Sequence, residues 1–534
     1  MPDALKKVVK DFQPPDKIAA KDNWIEMQYL LAIDAGTTSI KAGLFSPDGH
    51  CLSVSRQEYQ MDIPAADRAQ LDPEVYWQAC IQAVRASLEK SGVQPNDVTA
   101  VGVSSQGETT ITLDRHGKTI YPALIWLDNR ASDQAAFLAE QFGKVVYRRT
   151  GIPEIVPTWS ACKILWMRQN EPDVFERAAK FILVQDYLIF RLTGTIVTDG
   201  SVSCTTLNYD LLNNCWWKEI QDAIGITAKQ LPEIVQPGTT VGAISKDAAS
   251  LLGLTAQTVV VAGGMDQAVG AIGAGNFKPG IVSETTGAAL AIQATIADPM
   301  IDKSETVPVY YHSVPGRYLF VPVGPTAGMA FKWFRDAFFQ NEISKAEEDH
   351  VDAYDRLTQL AGSVPAGSDG LIMLPHLMGA FSPEPNSLAR GSFTGFTLSH
   401  TRGHFVRALL EGVAFLLRRN LDSIERTGIV IREIRSTGGG ARSNLWNQIK
   451  ANVCNRPVVT LVNEETALLG DAILAGVASG AFKSIEEGCS SMVVAKEKIQ
   501  PNDDAEVYSE SYRLYCELDQ RLFDYFKHSY SKKT

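Results

Sequence analysis

Apolar runs and polar turns alternate along this chain, and several runs end in glycine and a single charged or hydroxyl side chain. Val259-Val260-Val261, followed by Gly263-Gly264, predicts a buried strand that turns sharply and presents Asp266 at its end, with Gln267 beside it. A helix of small residues follows. A second strand then ends in Ser283-Glu284-Thr285-Thr286-Gly287, a turn of hydroxyls and glycine suited to holding an anion on backbone N–H groups. Earlier, the run Tyr29-Leu30-Leu31-Ala32-Ile33 ends at Asp34 and enters Gly36-Thr37-Thr38-Ser39 before Lys41. That loop offers flexible backbone, three hydroxyls and a positive charge to phosphate oxygens, and Asp34 suits a hydrated Mg²⁺.

The same reading places helices. Asp72 and Pro73 open one as N-cap and first residue, Trp77, Ile81, Val84 and Leu88 form its buried stripe, and Gly92 ends it. A strand over residues 98–103 opens into Gln106-Gly107-Glu108, an amide and a carboxylate past a strand's C-terminal end, where sugar hydroxyls are well served. Asp128 and Arg130 read as an ordinary ion pair, and Trp159 and Trp166 around Lys163 as a core stripe, with Trp159 at its start able to face a cleft. Gly328 opens a helix where backbone can approach a nucleotide. Ile434-Arg435-Ser436-Thr437 leads as a strand into Gly438-Gly439-Gly440, with a helix beginning near Asn444. Phe405, Ala408, Leu409, Gly412, Val413 and Leu416 mark a packing helix, and residues 464–480 a helix of small residues. The acidic turns at Asp34 and Asp266 read as copies of one theme, from opposite halves of a duplicated molecule, converging on one crevice.

Composition narrows the function. With 534 residues, two or more domains are expected. A net charge of −11 and no long basic run argue against nucleic acid as the partner, and no apolar run reaches the ~18 residues of a membrane span. Eight scattered cysteines without a Cys-x-x-Cys pair indicate neither zinc nor a disulfide framework, which fits a cytoplasmic protein. A small ligand is the expected partner.

Taken in order, Asp34-Ala35-Gly36-Thr37-Thr38-Ser39, Gly264-Met265-Asp266-Gln267, Thr286-Gly287, Leu374-Pro375-His376-Leu377 with Ala389-Arg390-Gly391, Gly438-Gly439-Gly440-Ala441-Arg442 and Glu465-Thr466-Ala467-Leu468 resemble the FGGY carbohydrate kinases. The resemblance covers residues 29–480 and implies an α/β fold of two actin-like, ribonuclease H-like domains, each a mixed β-sheet flanked by helices, with ATP in the cleft between them. It implies an N-terminal extension over 1–28, a sugar-binding domain with the catalytic base over 29–277, a nucleotide-binding domain over 278–500 and a C-terminal helix over 501–534. By the same resemblance the base is Asp266, Asp34 meets Mg²⁺, and Gln106, Glu108, Asp266 and Gln267 hold substrate. Thr37, Thr38, Ser39, Lys41, Thr286, Gly287, Gly328, Gly440 and Asn444 meet ATP.

The implied reaction transfers the γ-phosphate to a primary hydroxyl of a ketose or sugar alcohol, xylulokinase-like, and a homodimer is a possible assembly. A glycerol or short-polyol kinase is one alternative, and an actin-like ATP-dependent switch is another. Gly107 stands where glycerol kinases carry Arg, and Thr158 where they carry Tyr. Xylulokinases place Met-His where Gly107-Glu108 stands here. Ala380-Phe381 replaces a common Glu-Arg, and Thr285 takes the place of a usual glycine in the second phosphate loop. The hinge for domain closure is expected near the link from Gly275 to Gly280.

Overall fold

The computed structural model describes residues 28–299 and 305–530. The extension expected over 1–28 lies outside the described residues, apart from residue 28.

The first sheet is built from β1 (Tyr29–Ala35), β2 (Ser39–Phe45), β3 (Cys51–Glu58), β4 (Val98–Ser105), β5 (Thr240–Ala243) and β6 (Val259–Met265), in the order β5-β6-β4-β1-β2-β3. β1, β4 and β6 run parallel, while β2 and β3 extend β1 as an antiparallel meander. Between β3 and β4 runs helix α1 (Pro73–Ser91), capped by Asp72, whose carboxylate accepts from the Glu74 N–H at 2.9 Å, and closed by Gly92 at φ +69. Residues 106–239 form an insertion that includes α2 (Ser160–Asn170) and α3 (Val184–Thr193). Directly after β6 comes α4 (Asp266–Gly273).

The second sheet repeats this plan. Its strands are β7 (Ile281–Thr286), β8 (Leu290–Ile296), β9 (Val309–Tyr311), β10 (Tyr318–Phe320), β11 (Val323–Gly324), β12 (Glu433–Thr437), β13 (Val458–Leu461) and β14 (Ala495–Ile499). They run β9-β10-β8-β7-β12-β13-β14, with β11 on β8, and β7, β12 and β13 are parallel. Around them lie α5 (Gly328–Phe338), α6 (Arg402–Glu425), α7 (Asn444–Cys454), α8 (Thr466–Ser479) and α9 (Asp504–Tyr530). Strand for strand, β1 corresponds to β7, β4 to β12 and β6 to β13, and α4 after β6 corresponds to α8 after β13. This corrects the sequence reading of the duplication: Asp34 and Asp266 belong to one copy of the repeat, on strands of the same sheet. The counterpart of the Asp34 strand is the one ending at Thr286.

β1 reads as a continuous apolar run because both of its faces are covered. Leu31 and Ile33 pack with Tyr76, Trp77 and Val84 of α1, while Leu30 and Ala32 pack with Leu468, Ala472 and Ile473 of α8. Thus a helix from the second half of the chain completes the core beneath the first sheet. α4 and α8 cross at glycines: a Cβ on Gly470 would lie 1.9 Å from the Val269 carbonyl oxygen, and one on Gly273 would lie 1.9 Å from that of Thr466. The small residues of both helices are explained by this approach. α9 seats the unexposed rings of Tyr508 and Tyr515 against Phe415 of α6. Among the described residues, no helix is long and apolar enough to cross a membrane.

Candidate active site

Three parallel strands of the first sheet end at one level, and their ends carry the chemistry. Asp34 on β1 is in register with Ser104 on β4, and Ser105 with Met265 on β6, so Asp34 and Asp266 flank β4 at its C-terminal end. Burial, joined by the negative charge of Asp34, pushes the Asp266 carboxyl up to about 7 against one stabilising bond from the Gln267 N–H at 2.6 Å. Asp34 rises to about 6 by burial, with Lys41 holding it down.

The turn that delivers Asp266 is clamped from the inserted block. The Met265 N–H donates to Ser201 Oγ at 2.9 Å, and Ser201 donates to the buried Asp199 at 2.5 Å. Gly264 has φ +141, and a Cβ there would meet Ser313 Oγ at 2.1 Å and Ser201 Oγ at 2.5 Å, so this glycine is required.

The second group follows β4. Gln106 is buried, its N–H on the Ala35 carbonyl at 2.9 Å and its Nε2 on the Tyr76 hydroxyl at 3.2 Å. Among the described residues its Oε1 is buried without a partner, as is Oε1 of Gln267. Glu108 takes φ +55, held by Thr205 Oγ1, which accepts its N–H at 3.3 Å, and by Ser160 Oγ and Lys163 Nζ, which donate to its carbonyl at 3.3 and 3.1 Å. Burial, then the charge of Asp266, raises the Glu108 carboxyl to about 8 despite Lys163 nearby. Lys163 itself is wholly buried and also donates to the carbonyls of Leu124 and Ile125 at 3.3 and 2.8 Å. Sequence reasoning placed Lys163 in a core stripe and missed this role; a lysine inside a largely apolar stretch was the available signal. Trp166 is buried as expected, stacked by Arg130, and the Asp128–Arg130 pair is a buried ion pair at 2.8 Å.

A further group gathers at the strand ends of the second sheet. Thr286 and Gly287 turn between β7 and β8. The Gly328 N–H donates to the Gly287 carbonyl at 2.9 Å, and a Cβ on Gly440 would sit 2.6 Å from Thr286 Cβ. Thr286, Gly287, Gly328 and Gly440 therefore form one cluster, with Asn444 exposed at the start of α7. Thr285 is an ordinary strand residue in register with Thr437, their hydroxyls 2.8 Å apart, so its backbone needs no glycine. In the first sheet's loop, Thr37 Oγ1 accepts from Trp126 Nε1 at 2.8 Å, Thr38 is exposed, Ser39 is buried, and Lys41 pairs with Glu465. Glu464 pairs with Arg442 beside the glycine turn at 2.6 Å, so residues 464–465 join the two phosphate-type loops. A further acid missed from sequence is Asp471 of α8: buried, pushed well above the carboxylate range by its burial, and accepting from Ser104 Oγ at 2.5 Å.

Residues 29–273 match the N-terminal domain of the FGGY family of carbohydrate kinases, and residues 286–479 match the C-terminal domain of that family. The chain belongs to the FGGY family of carbohydrate kinases. It is accordingly a phosphotransferase with an alcohol group as acceptor. A xylulose kinase of Bacillus subtilis (strain 168) is 31% identical over 86% of this chain and 90% of the relative. A gluconokinase of the same organism is 31% identical over 92% of this chain and 96% of the relative. The ligand-bound xylulose kinase structure from Lactobacillus acidophilus superposes with a TM-score of 0.85 at 28% identity, covering 94% of this chain and all of that one. The two-domain actin-like fold expected from the FGGY motifs is therefore the fold of this chain.

Proposed function

We propose that this kinase transfers the γ-phosphate of ATP to a primary hydroxyl of an uncharged ketose or sugar alcohol of the xylulose type, with Asp266 as general base. One observation carries the reading: Asp266 stands at a strand end beside Asp34 and Glu108, with its carboxyl raised to about 7, poised to accept a proton near neutrality. Gln106, Glu108 and Gln267 bind the substrate hydroxyls, and the two buried amide oxygens without partners are acceptors for them. Thr37, Thr38, Ser39 and Lys41 on one side, and Thr286, Gly287, Gly328, Gly440 and Asn444 on the other, hold the nucleotide. In this reading residues 29–277 carry the sugar and the base, and residues 278–500 the nucleotide.

Phosphoryl transfer through a loose transition state asks the protein mainly for alignment and charge neutralisation. Lys41, which pairs with Glu465 in this structure, would turn its charge to the phosphates. Among the described residues no group of three metal-type ligands occurs, which fits a Mg²⁺ that arrives with the phosphates and takes one protein carboxylate, Asp34. Bound there, that ion would neutralise charge on the transferred group.

The charge around the acceptor side separates the substrates named for the relatives. Asp34, Asp266 and Glu108 are all acids, and the nearby ammonium of Lys163 is spent on three backbone carbonyls. An anionic substrate such as gluconate would meet this run of acids, whereas a neutral ketose meets acceptors for its hydroxyls. ADP formation measured with D-xylulose, glycerol and gluconate tests this. D-xylulose is expected to stimulate most and gluconate least. Preference for gluconate would overturn the substrate class, and ATP hydrolysis indifferent to any polyol would favour a switch protein instead.

A further inference from the structure

Beneath the proposed nucleotide loops lies a polar cluster closed to solvent. Lys450 on α7 and Glu284 on β7, neither with any side-chain exposure, pair at 2.6 Å. Lys450 Nζ also donates to Thr286 Oγ1 at 2.9 Å and to Ser436 Oγ at 3.2 Å, so its three N–H groups each have a partner. The Thr286 hydroxyl donates to Glu284 Oε2 at 2.7 Å, and the Ser436 hydroxyl donates to Glu284 Oε1. Asn447, one turn before Lys450, donates through Nδ2 to the Ala441 carbonyl at 2.7 Å, at the end of the glycine turn. The ring of Trp446 lies 5.2 Å from the ammonium.

These bonds have a consequence for the loop. A threonine hydroxyl has one proton to give, and here it goes to Glu284 while a lone pair faces Lys450. Thr286 therefore has no hydroxyl proton left for a phosphate oxygen. Its side chain is instead the floor against which the glycine turn rests, with Gly440 approaching to a distance that a Cβ could not occupy. The cluster touches both nucleotide loops at once: Glu284 and Thr286 precede the first, Ser436 precedes the second, and Lys450 spans them.

We propose that Lys450 and Glu284 are positioning residues for the nucleotide, turning the Thr286 hydroxyl inward and fixing the Thr286-Gly287 and Gly438–Gly440 turns against each other so that backbone, not that hydroxyl, meets the phosphates. This rests on the nucleotide site assigned above. The ion pair joins residues 166 positions apart, and losing either partner would leave an uncompensated charge in the core.

The test separates positioning from stability. Removing one partner of a buried pair strands the other charge, whereas replacing both with apolar residues of similar volume is often neutral or better for folding. Lys450→Met alone is expected to lower Tm, and Lys450→Met combined with Glu284→Leu to recover it. In the double variant, KM for ATP should rise about tenfold, the scale of one lost hydrogen bond, with KM for the sugar unchanged. Ser436→Ala, which strands no charge, should raise KM for ATP severalfold by itself. If either the recovered double variant or Ser436→Ala keeps the wild-type KM for ATP, the pair is only structural and the proposal is wrong. Gly440→Val distinguishes the underlying reading: should it leave ATP affinity untouched, the nucleotide site itself has been misplaced.

Discussion

Asp266 is made by its surroundings. Two backbone-level constraints, the glycine at φ +141 and the Ser201 hydroxyl on the Met265 N–H, fix where its carboxyl begins, and burial beside Asp34 sets when it ionises. The acid limb of kcat/KM should therefore fall with an apparent pKa near the 7 of this group, because the base must be ionised. In Asp34→Asn, whatever activity remains should show that limb displaced to lower pH, since a like charge has been removed; a limb that stays in place would disconnect the two carboxylates. The same shift has a stability sign. A carboxyl raised from its ordinary 3.8 to about 7 costs stability progressively as pH climbs through that window, where the unfolded group ionises and the folded one resists. Asp266→Asn should thus raise Tm at pH 8 and leave it nearly unchanged at pH 4, as measured by calorimetry.

Lys163 makes a different prediction. Lys163→Met removes three bonds to carbonyls around Glu108 and should raise KM for the sugar about tenfold while leaving KM for ATP alone. At this scale the position of a side chain was legible where it ends a strand, as at Asp34, Gln106 and Asp266. Lys163, Lys450 and Asp471 were not legible. Each sits within a helical stretch whose pattern does not reveal its partners, and each meets them across long stretches of chain, 367 positions in the case of Asp471 and Ser104.

Among the elements, the crossing of α4 and α8 has the tightest tolerance. Gly470→Ala puts a methyl 1.9 Å from a carbonyl oxygen and should destabilise by about 1–3 kcal/mol or more, the range of overpacked contacts, while Gly242→Ala, with no atom within 4 Å of the added carbon, should cost far less. Equal losses in thermal unfolding would mean that the helices do not meet there. Element type was readable from pattern: α1 begins at its Asp72 cap and ends before Gly92 as its stripe indicates, and the run in β1 is a strand. The partners of α8 were not readable. Its stripe of small residues announces close packing but not against what, and the answer is the first sheet rather than its own.

For the whole molecule, the two sheets are copies of one plan, yet only the first carries the paired acids at its strand ends, while the second ends its corresponding strand in Thr286 and the glycine turn. On the proposed reading, that division gives proton chemistry to one half and a cradle for an anion to the other. Exclusion of water from the γ-phosphate would then call for the halves to close about the link containing Gly275 (φ +74) and Gly280 (φ +106). Small-angle scattering should show a smaller radius of gyration with D-xylulose and a non-hydrolysable ATP analogue together than with neither; an unchanged radius would argue for a preclosed cleft. The duplication was visible in sequence as recurring strand-and-turn units, but which units correspond was not, because correspondence is a matter of strand order and only the paired sheets show it.

The most direct measurement is turnover of Asp266→Asn with D-xylulose and ATP, alongside calorimetric titration of the same variant with the ATP analogue. Loss of a general base predicts a fall in kcat of about 10² to 10⁴-fold with nucleotide affinity close to wild type. A variant that keeps turning over within a fewfold of wild type would contradict the assignment of Asp266 as the base.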